Sequence, residues 1–189
     1  MLEKLIEWDK ELFLFLNSKN IEWLDPVMLF LSSYLCWTIV FFLLAGLIYW
    51  YSKTWKKTST IFFMLTVGMS ALLTNIIKLF FERPRPIHNQ DWVGTIHAIE
   101  DYSSSFSFFS SHSATTFSMS VFFFLCFKQS RACGVAAIVW SALVAYSRIY
   151  VAKHYPFDVI VGILFGTVIG IFGYMLLEQY KKGKGKLKV

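Results

Sequence analysis

The chain has 189 residues, of which 56% are hydrophobic and 16% are charged, and its net charge at pH 7 is +6. A water-soluble globular domain is disfavoured, because such domains carry about 25% charged residues. The same apolar excess excludes intrinsic disorder, and the presence of only three cysteines excludes a disulfide-stapled secreted module. Composition therefore favours an all-α, polytopic membrane helical bundle.

The chain begins with an amphipathic segment, residues 1–22. Apolar residues recur there at helical spacing, and charged residues fill the positions between them. This pattern predicts a helix that lies in the membrane–water interface. A cleavable signal peptide is disfavoured, because acidic residues interrupt the apolar stretch and no small-residue cleavage site follows it.

Five long apolar runs follow, and each predicts a membrane-spanning helix. They cover residues 27–51, 58–81, 113–127, 132–147 and 157–180. The third and fourth runs are shorter than the ~20 residues that cross a hydrocarbon core, so their helices must extend into flanking polar residues. With no repeat or second domain, residues 1–189 are predicted to form a single membrane-embedded domain.

Basic residues follow the first, third and fifth predicted spans, and all of them therefore lie at one end of the bundle. They are Lys53, Lys56, Lys57, Lys128, Arg131, Lys181, Lys182, Lys184, Lys186 and Lys188. Short basic loops remain in the cytoplasm, which predicts a basic cytoplasmic tail at residues 181–189 and an outward loop at residues 82–112. The charge thus favours the inner (cytoplasmic) membrane and contact with the phospholipid bilayer, and not a nucleic-acid partner.

Three groups of polar residues lie on the predicted outward face. In the first, Lys78 lies near the outer end of the second span, and Arg83 and Arg85 alternate with prolines that stop the helix. The second consists of Ser110, Ser111 and His112 at the start of the third span, where free N–H groups form a ready anion site. The serines at positions 103–107 predict only a helix N-cap.

The third group connects the fourth and fifth spans. Arg148 closes the fourth span, and Asp158 follows His154 by four residues in the first turns of the fifth. The carboxylate is then close enough to hold one imidazole nitrogen and leave the other free. Each charge also complements a helix end, so it is the combination with a histidine that indicates a site.

Together these groups fit the chemistry of an anionic tetrahedral substrate. Phosphoryl transfer needs cations and N–H groups around the equatorial oxygens, an in-line nucleophile and an acid for the leaving oxygen. One histidine can supply the nucleophile and another the acid. One alternative is a metal site on His112 and His154, with His88 or His97 from the loop as a further ligand, which the neighbouring cations oppose. Another is a serine–histidine–aspartate hydrolase using Ser110 or Ser111, which leaves the cations unexplained.

The order and spacing of these residues resemble the three-part signature of the type 2 phosphatidic acid phosphatase superfamily. That superfamily includes membrane lipid phosphatases and isoprenyl-diphosphate phosphatases. The matching residues are Lys78, Arg85, Pro86, Ser110, His112, Ser147, Arg148, His154 and Asp158. The second motif of the family usually reads Pro-Ser-Gly-His, whereas Phe109 and Ser111 stand at the proline and glycine positions here.

The resemblance implies a membrane hydrolase that uses a phosphohistidine intermediate. His154 would be the nucleophile, Asp158 would orient it, and His112 would be the general acid. The implied phosphate-binding residues are Lys78, Arg85, Ser110, Ser111 and Arg148, without a metal or other cofactor. Arg83 lies outside the pattern and is retained as a substrate contact only.

The leading prediction for the substrate is undecaprenyl diphosphate, hydrolysed at the periplasmic or exterior face to undecaprenyl phosphate. Lipid A, phosphatidate and phosphatidylglycerophosphate would present the same group at the same depth. A non-catalytic lipid-phosphate-binding protein is an alternative, motivated by Phe109 and Ser111. A transporter is disfavoured because the interiors of the first and fifth spans carry no ionisable residues. The sequence indicates no oligomeric state.

Overall fold

The computed structural model describes residues 1–100 and 105–186, and within these ranges all regular structure is helical. The α-helices in chain order are α1 (Leu2–Asn17), α2 (Asp25–Ser32), α3 (Tyr34–Tyr51), α4 (Lys56–Lys78), α5 (Ser111–Cys126), α6 (Arg131–Tyr150) and α7 (Pro156–Lys186). Single turns of 3-10 helix lie at Glu22–Leu24, Pro86–His88 and Gln90–Trp92. The predicted all-α class is confirmed.

Four helices in the described part of the chain are long and apolar enough to cross a membrane, namely α3, α4, α6 and α7. The helix predicted as the third span, α5, has 16 residues and is shorter than the ~20 residues that a span requires. Its residues 113–120 are all buried, because α4, α6 and α7 pack around it. The predicted helix therefore exists, but it forms the centre of the bundle.

Two boundaries differ from the sequence prediction. The predicted first span is divided at Ser33, whose backbone is extended and whose hydroxyl accepts a hydrogen bond from the Cys36 N–H at 3.2 Å. A serine in this geometry is a helix N-cap, so α3 begins after it. At the other end, α7 continues through Lys186, and the described part of the predicted basic tail is helical. Lysines near a helix C-terminus interact favourably with the helix dipole.

Close packing of α7 against α5 depends on glycine. A Cβ atom at Gly162 would lie 2.7 Å from the carbonyl oxygen of Ser110, and one at Gly170 would lie 2.8 Å from that of Ser118. Any side chain at these positions would push the two helices apart. Small residues at intervals of four are typical of close helix contacts in membranes. The start of α5 therefore lies directly against the first turns of α7.

The first helix, α1, docks on the end of the bundle where α6 stops and α7 starts. Phe13 is fully buried, with its ring centroid 5.4 Å from that of Trp92 and 5.6 Å from that of Tyr155. The side-chain amide of Asn17 donates to the carbonyl oxygen of Tyr150 at 2.8 Å. Several apolar side chains of α1 remain exposed. The interfacial position of this helix stays a prediction, but its packing on the bundle is a finding.

The three predicted polar groups meet at one end of the bundle. This end contains the C-termini of α4 and α6, the N-termini of α5 and α7, and the loop between α4 and α5. The described basic residues that follow α3 and α5, and those that end α7, belong to the opposite end. Of the predicted basic set, Lys188 lies outside the described residues.

Candidate active site

A cavity of about 630 Å³ opens at the polar end of the bundle. Most of the predicted site residues line it: Lys78, Arg85, Ser111, His112, Arg148 and His154. The other two, Ser110 and Asp158, are fully buried behind the cavity wall. The fold thus brings the three sequence motifs to one place.

Backbone carbonyl groups hold the cations of the first motif. Lys78, the last residue of α4, donates from Nζ to the carbonyl oxygen of Phe106 at 3.1 Å. Arg85 donates to the carbonyl oxygen of Ser105 at 2.8 Å and to that of Lys153 at 3.0 Å. Burial, followed by the charge of Arg148, lowers the pKa of Arg85 to about 10, which leaves the guanidinium charged at neutral pH. This cation is therefore fixed between the loop and the turn before α7.

Two buried polar atoms of the cavity wall have no hydrogen-bond partner among the residues that the structure describes. They are Nε of Arg148 and Nε2 of His112. In contrast, Nη1 of Arg148 donates to the carbonyl oxygen of Ser32 at 3.0 Å, to the Ser32 hydroxyl, and to Glu100 at 3.0 Å. Buried polar atoms in proteins are nearly always satisfied, so both unpartnered atoms suit contact with a bound substrate.

Glu100 is a carboxylate on the cavity wall that the sequence did not single out. It lies 3.0 Å from Arg148 Nη1 and 3.7 Å from Lys153 Nζ, and it accepts from the Ser32 hydroxyl at 2.6 Å. It therefore partly neutralises two cations of the cavity. An anionic substrate that approaches Arg148 meets this like charge and competes with it.

His154 lies in a tight turn between α6 and α7 and is only 1% exposed. The turn contains Ala152 with a positive φ of 58°, which is unfavourable for a residue with a Cβ atom. The N–H groups of Lys153 and His154 both donate to the carbonyl oxygen of Arg148, at 3.0 and 3.1 Å. Strained backbone is typical of functional sites, and here it fixes the histidine relative to Arg148.

The predicted direct hydrogen bond between Asp158 and His154 is absent from the described structure. Their nearest atoms, Oδ2 and Nδ1, are 3.8 Å apart. The hydroxyl of Ser107 lies between them, donating to Oδ2 at 2.5 Å and lying 3.4 Å from Nδ1. The Tyr155 N–H donates to the same carboxylate oxygen at 3.0 Å. Asp158 therefore reaches the histidine mainly through Ser107.

The helix-cap prediction was wrong for Ser107 and applies to Ser110 instead. The Ser110 hydroxyl accepts from the Ser113 N–H at 3.3 Å and from the Ser113 hydroxyl at 2.9 Å, so it begins α5. This arrangement differs from its predicted contact with phosphate. Of the remaining serines in that prediction, those at positions 103 and 104 lie outside the described residues.

Arg83, retained as a substrate contact in the sequence, does not line the cavity. Its guanidinium forms ion pairs of 2.6 Å with both Asp9 and Asp158. It also lies over the ring of Tyr155, 3.9 Å from the ring centroid. Arg83 therefore holds Asp158 in place from the side opposite His154.

Electrostatics keep His154 neutral. Burial, followed by the positive charges of Arg85, Lys78 and Arg148, lowers the pKa of His154 well below its ordinary value of 6.5. A base is uncharged above its pKa, so a lowered pKa extends the neutral, nucleophilic form to more acidic solutions. The cations that would bind a phosphate therefore also keep this imidazole unprotonated.

We expect His154 to remain neutral at about pH 6, where an ordinary imidazole is mostly protonated. Two-bond ¹H–¹⁵N NMR spectra of protein labelled with ¹⁵N-histidine measure this directly, because the ¹⁵N chemical shifts of the two ring nitrogens differ strongly in a neutral ring. The H154A variant assigns the signal. Conversion of that signal to the imidazolium pattern between about pH 7 and pH 6 would contradict the lowered pKa.

The family model described as the PAP2 superfamily matches residues 59–182 of the chain. The chain belongs to the PAP2 superfamily. The match includes all three motifs that line or support the cavity. As a PAP2 protein it is an integral membrane lipid phosphatase that hydrolyses phosphate esters.

Relatives of this PAP2 phosphatase are named for different lipids. The lipid A 4'-phosphatase of Porphyromonas gingivalis is 30% identical over 181 residues, which cover 92% of this chain and 74% of the relative. An undecaprenyl-diphosphatase of Bacillus subtilis is 28% identical over 148 residues, which cover 78% of this chain and 72% of the relative. The crystal structure of a PAP2-type phosphatidylglycerolphosphate phosphatase from Bacillus subtilis superposes with a TM-score of 0.73 at 22% identity, covering 95% and 87% of the two chains. The family is common to all three, and the substrate is not.

Two positions differ from the usual PAP2 pattern, and the fold accommodates both. Ser111, at the glycine position, is the first residue of α5 and needs no left-handed backbone conformation. Phe109, at the proline position, is 3% exposed and packs on Phe165, with ring centroids 4.9 Å apart.

In the described residues, no group of three or more His, Cys, Asp or Glu side chains is arranged to hold a metal ion.

Proposed function

We propose that this PAP2 protein is a metal-independent phosphatase that transfers the phosphate of a lipid to His154 and then to water. The observation that carries the proposal is the buried imidazole of His154, with a lowered pKa, in a cavity whose cationic lining includes Lys78, Arg85 and Arg148. Such an arrangement gives a nucleophile and its charge stabilisation without further groups.

Substrate binding uses the cations and the start of α5. The non-bridging phosphate oxygens accept from Lys78, Arg85 and the free Nε of Arg148. The N–H groups of Ser111 and His112 add to this, because the first turn of a helix leaves its amides without intrahelical partners. These contacts strengthen as charge spreads over the equatorial oxygens in the transition state.

The transfer step starts from Nε2 of His154, which lies 3.3 Å from Arg85 Nη1 and therefore on the side of the phosphate-binding cations. Its lone pair forms the bond to phosphorus while the bond from phosphorus to the leaving oxygen breaks. His112, which is an imidazolium when the anionic phosphate is bound beside it, gives a proton to that oxygen and becomes neutral. Ser107 and Asp158, on the Nδ1 side, stabilise the positive charge that develops on the ring.

Water completes the reaction. His112, now without its proton, takes a proton from water as the water oxygen attacks the phosphohistidine. The bond between phosphorus and Nε2 breaks, inorganic phosphate leaves, and His154 returns to its neutral form. Each group thus ends in its starting protonation state.

The shape of the cavity supports a lipid substrate. Besides the polar residues, its lining includes Tyr34 and Trp37 from the start of α3 and Ala71 and Asn75 from the last turns of α4. These positions lie within two helices that are long and apolar enough to span a membrane. We propose that the headgroup occupies the polar end and that the lipid tail leaves the cavity between α3 and α4.

Undecaprenyl diphosphate is the first candidate substrate. The proposal is supported by the number of cationic side chains on the cavity wall, where Lys153 joins the three phosphate-binding residues. A diphosphate carries more negative charge than a monophosphate and suits a wall with more cations. The 4'-phosphate of lipid A is a second candidate, and the 30% identity to the Porphyromonas gingivalis enzyme favours it.

We propose that the cavity faces the periplasm or exterior and that the C-terminus is cytoplasmic. The support is the distribution of charge, since the basic residues after α3 and α5 and at the end of α7 belong to the end opposite the cavity. Basic segments of this kind are retained in the cytoplasm.

The proposal is tested by phosphate release from detergent-purified protein in excess EDTA. The substrates are undecaprenyl diphosphate, lipid A, phosphatidate and phosphatidylglycerophosphate, each labelled in the terminal phosphate and quenched in alkali, which preserves phosphohistidine. We expect release from at least one lipid and label on the protein within the first turnover. Release that stops in EDTA and returns with Mg²⁺ would overturn the metal-independent mechanism, and no release by folded protein would favour a lipid-binding protein.

A further inference from the structure

An acidic residue of the first helix contacts the residues that hold Asp158 in place. One carboxylate oxygen of Asp9, in α1, accepts a hydrogen bond from the backbone N–H of Phe157 at 2.8 Å. Its other oxygen accepts from Arg83 at 2.6 Å. Phe157 lies in the first turn of α7, where the amide has no partner within the helix. Asp9 therefore caps a helix to which it does not belong and pairs with Arg83 at the same time.

This pair continues to the nucleophile through a chain of polar contacts. Arg83 donates to one oxygen of Asp158 at 2.6 Å, and Ser107 donates to the other at 2.5 Å. The Ser107 hydroxyl then lies 3.4 Å from Nδ1 of His154. Asp9 and His154 are thus the two ends of one chain, with the guanidinium, the carboxylate and the hydroxyl between them.

Arg83 is fixed on several sides within this chain. Its guanidinium lies over the ring of Tyr155, and its own carbonyl oxygen accepts from the Ser107 N–H at 2.8 Å. It therefore determines the position of the Ser107 backbone as well as that of the Asp158 carboxylate. Charge-assisted hydrogen bonds to a partly buried guanidinium are among the stronger contacts in proteins.

We propose that Asp9 and Arg83 are positioning residues for the phosphatase reaction, and that α1 aligns the nucleophile in addition to packing on the bundle. The inference rests on the proposed function, because it takes His154 as the nucleophile. Neither Asp9 nor Arg83 lines the phosphate cavity. Loss of their ion pair therefore disturbs the direction of Nε2 while the groups that bind phosphate stay in place.

The test compares D9N, R83Q and the D9N/R83Q double variant with the wild type. E7Q is the matched control, because Glu7 is an exposed acid on the same helix. The kcat and KM are measured per folded molecule on undecaprenyl diphosphate, the first candidate substrate, in mixed micelles, with vanadate inhibition as a separate measure of phosphate-site binding. H154A is included as the reference for loss of the nucleophile.

We expect D9N to lower kcat about 10-fold, because small displacements of a reacting group have large effects on rate. KM and vanadate inhibition should change less than about twofold, and the double variant should lose no more than R83Q alone, as expected for residues that act through one contact. E7Q should match the wild type. A purely structural role would instead reduce the amount of folded protein and leave kcat per folded molecule unchanged.

Wild-type kcat in D9N, or losses in D9N and R83Q that add in the double variant, would overturn the positioning role. A rise in KM or weaker vanadate inhibition with unchanged kcat would also overturn it, because the effect would then be on binding. Full activity in H154A would instead refute the proposed function. The two proposals can therefore fail separately.

Discussion

Substitution of alanine for His154 is expected to remove phosphate release almost completely, with a loss on the order of 10⁴-fold or more, as for other nucleophiles of covalent catalysis. The variant keeps the cationic cavity but has no lone pair at the position of Nε2. Phosphate release and labelled phosphohistidine are measured together in the same quenched samples. Both should fall to the background of the uncatalysed reaction.

A matched control for this substitution is H88Q, since His88 is not among the residues that line the cavity. Its rate should remain close to that of the wild type. Because His154 is buried, each variant is first checked for a folded, monodisperse state in detergent. Turnover by folded H154A within about tenfold of the wild-type rate would exclude His154 as the nucleophile.

The H112A variant is expected to show a loss that depends on the leaving group. For a lipid monophosphate, whose leaving group is an alkoxide, the first turnover should slow by about 10² to 10⁴-fold, because general acid catalysis contributes that much. For p-nitrophenyl phosphate the leaving group needs little protonation, so the first turnover should slow far less. A rapid-quench comparison of the two substrates measures the difference.

The same variant also tests the second half of the reaction. His112 is proposed to take a proton from water, so hydrolysis of the phosphohistidine should be slow in H112A whatever the leaving group. With p-nitrophenyl phosphate this gives a burst of nitrophenol, about one per enzyme molecule, followed by a slow steady state. Equal slowing of the first turnover with both substrates would show that His112 acts as something other than the general acid.

If undecaprenyl diphosphate is the substrate, its leaving group is a phosphate monoester, which is a weaker base than an alkoxide. The loss in H112A should then be close to that with p-nitrophenyl phosphate, because the second pKa of a phosphate monoester is about 6 and this leaving group needs little protonation. The leaving-group dependence thus bears on the choice between a diphosphate and a lipid A monophosphate, which the relatives leave open.

The amino-acid sequence was enough to predict the class of protein and most of the residues that line the cavity. Apolar runs near the length of a hydrocarbon core indicate membrane helices. The lipid core offers no hydrogen-bond partner to the backbone, and a helix satisfies its own N–H and C=O groups. Motif spacing then located the main cavity residues, including Lys78, Arg148 and His154. This was possible because each motif lies at a helix end, where local signals such as proline, serine and charge are informative.

The contacts that hold these residues in place become visible only in the folded molecule. Ser107 and His154 are 47 positions apart in the chain, and Arg83 and Asp9 are 74 apart. In the sequence, a serine in a loop resembles a helix cap, and an arginine before a proline resembles a substrate contact. Only the folding of the loop against α7 shows what they contact. Hydrogen bonds and ion pairs act over a few ångströms in space. Residues paired by long-range packing therefore leave no local pattern in the sequence.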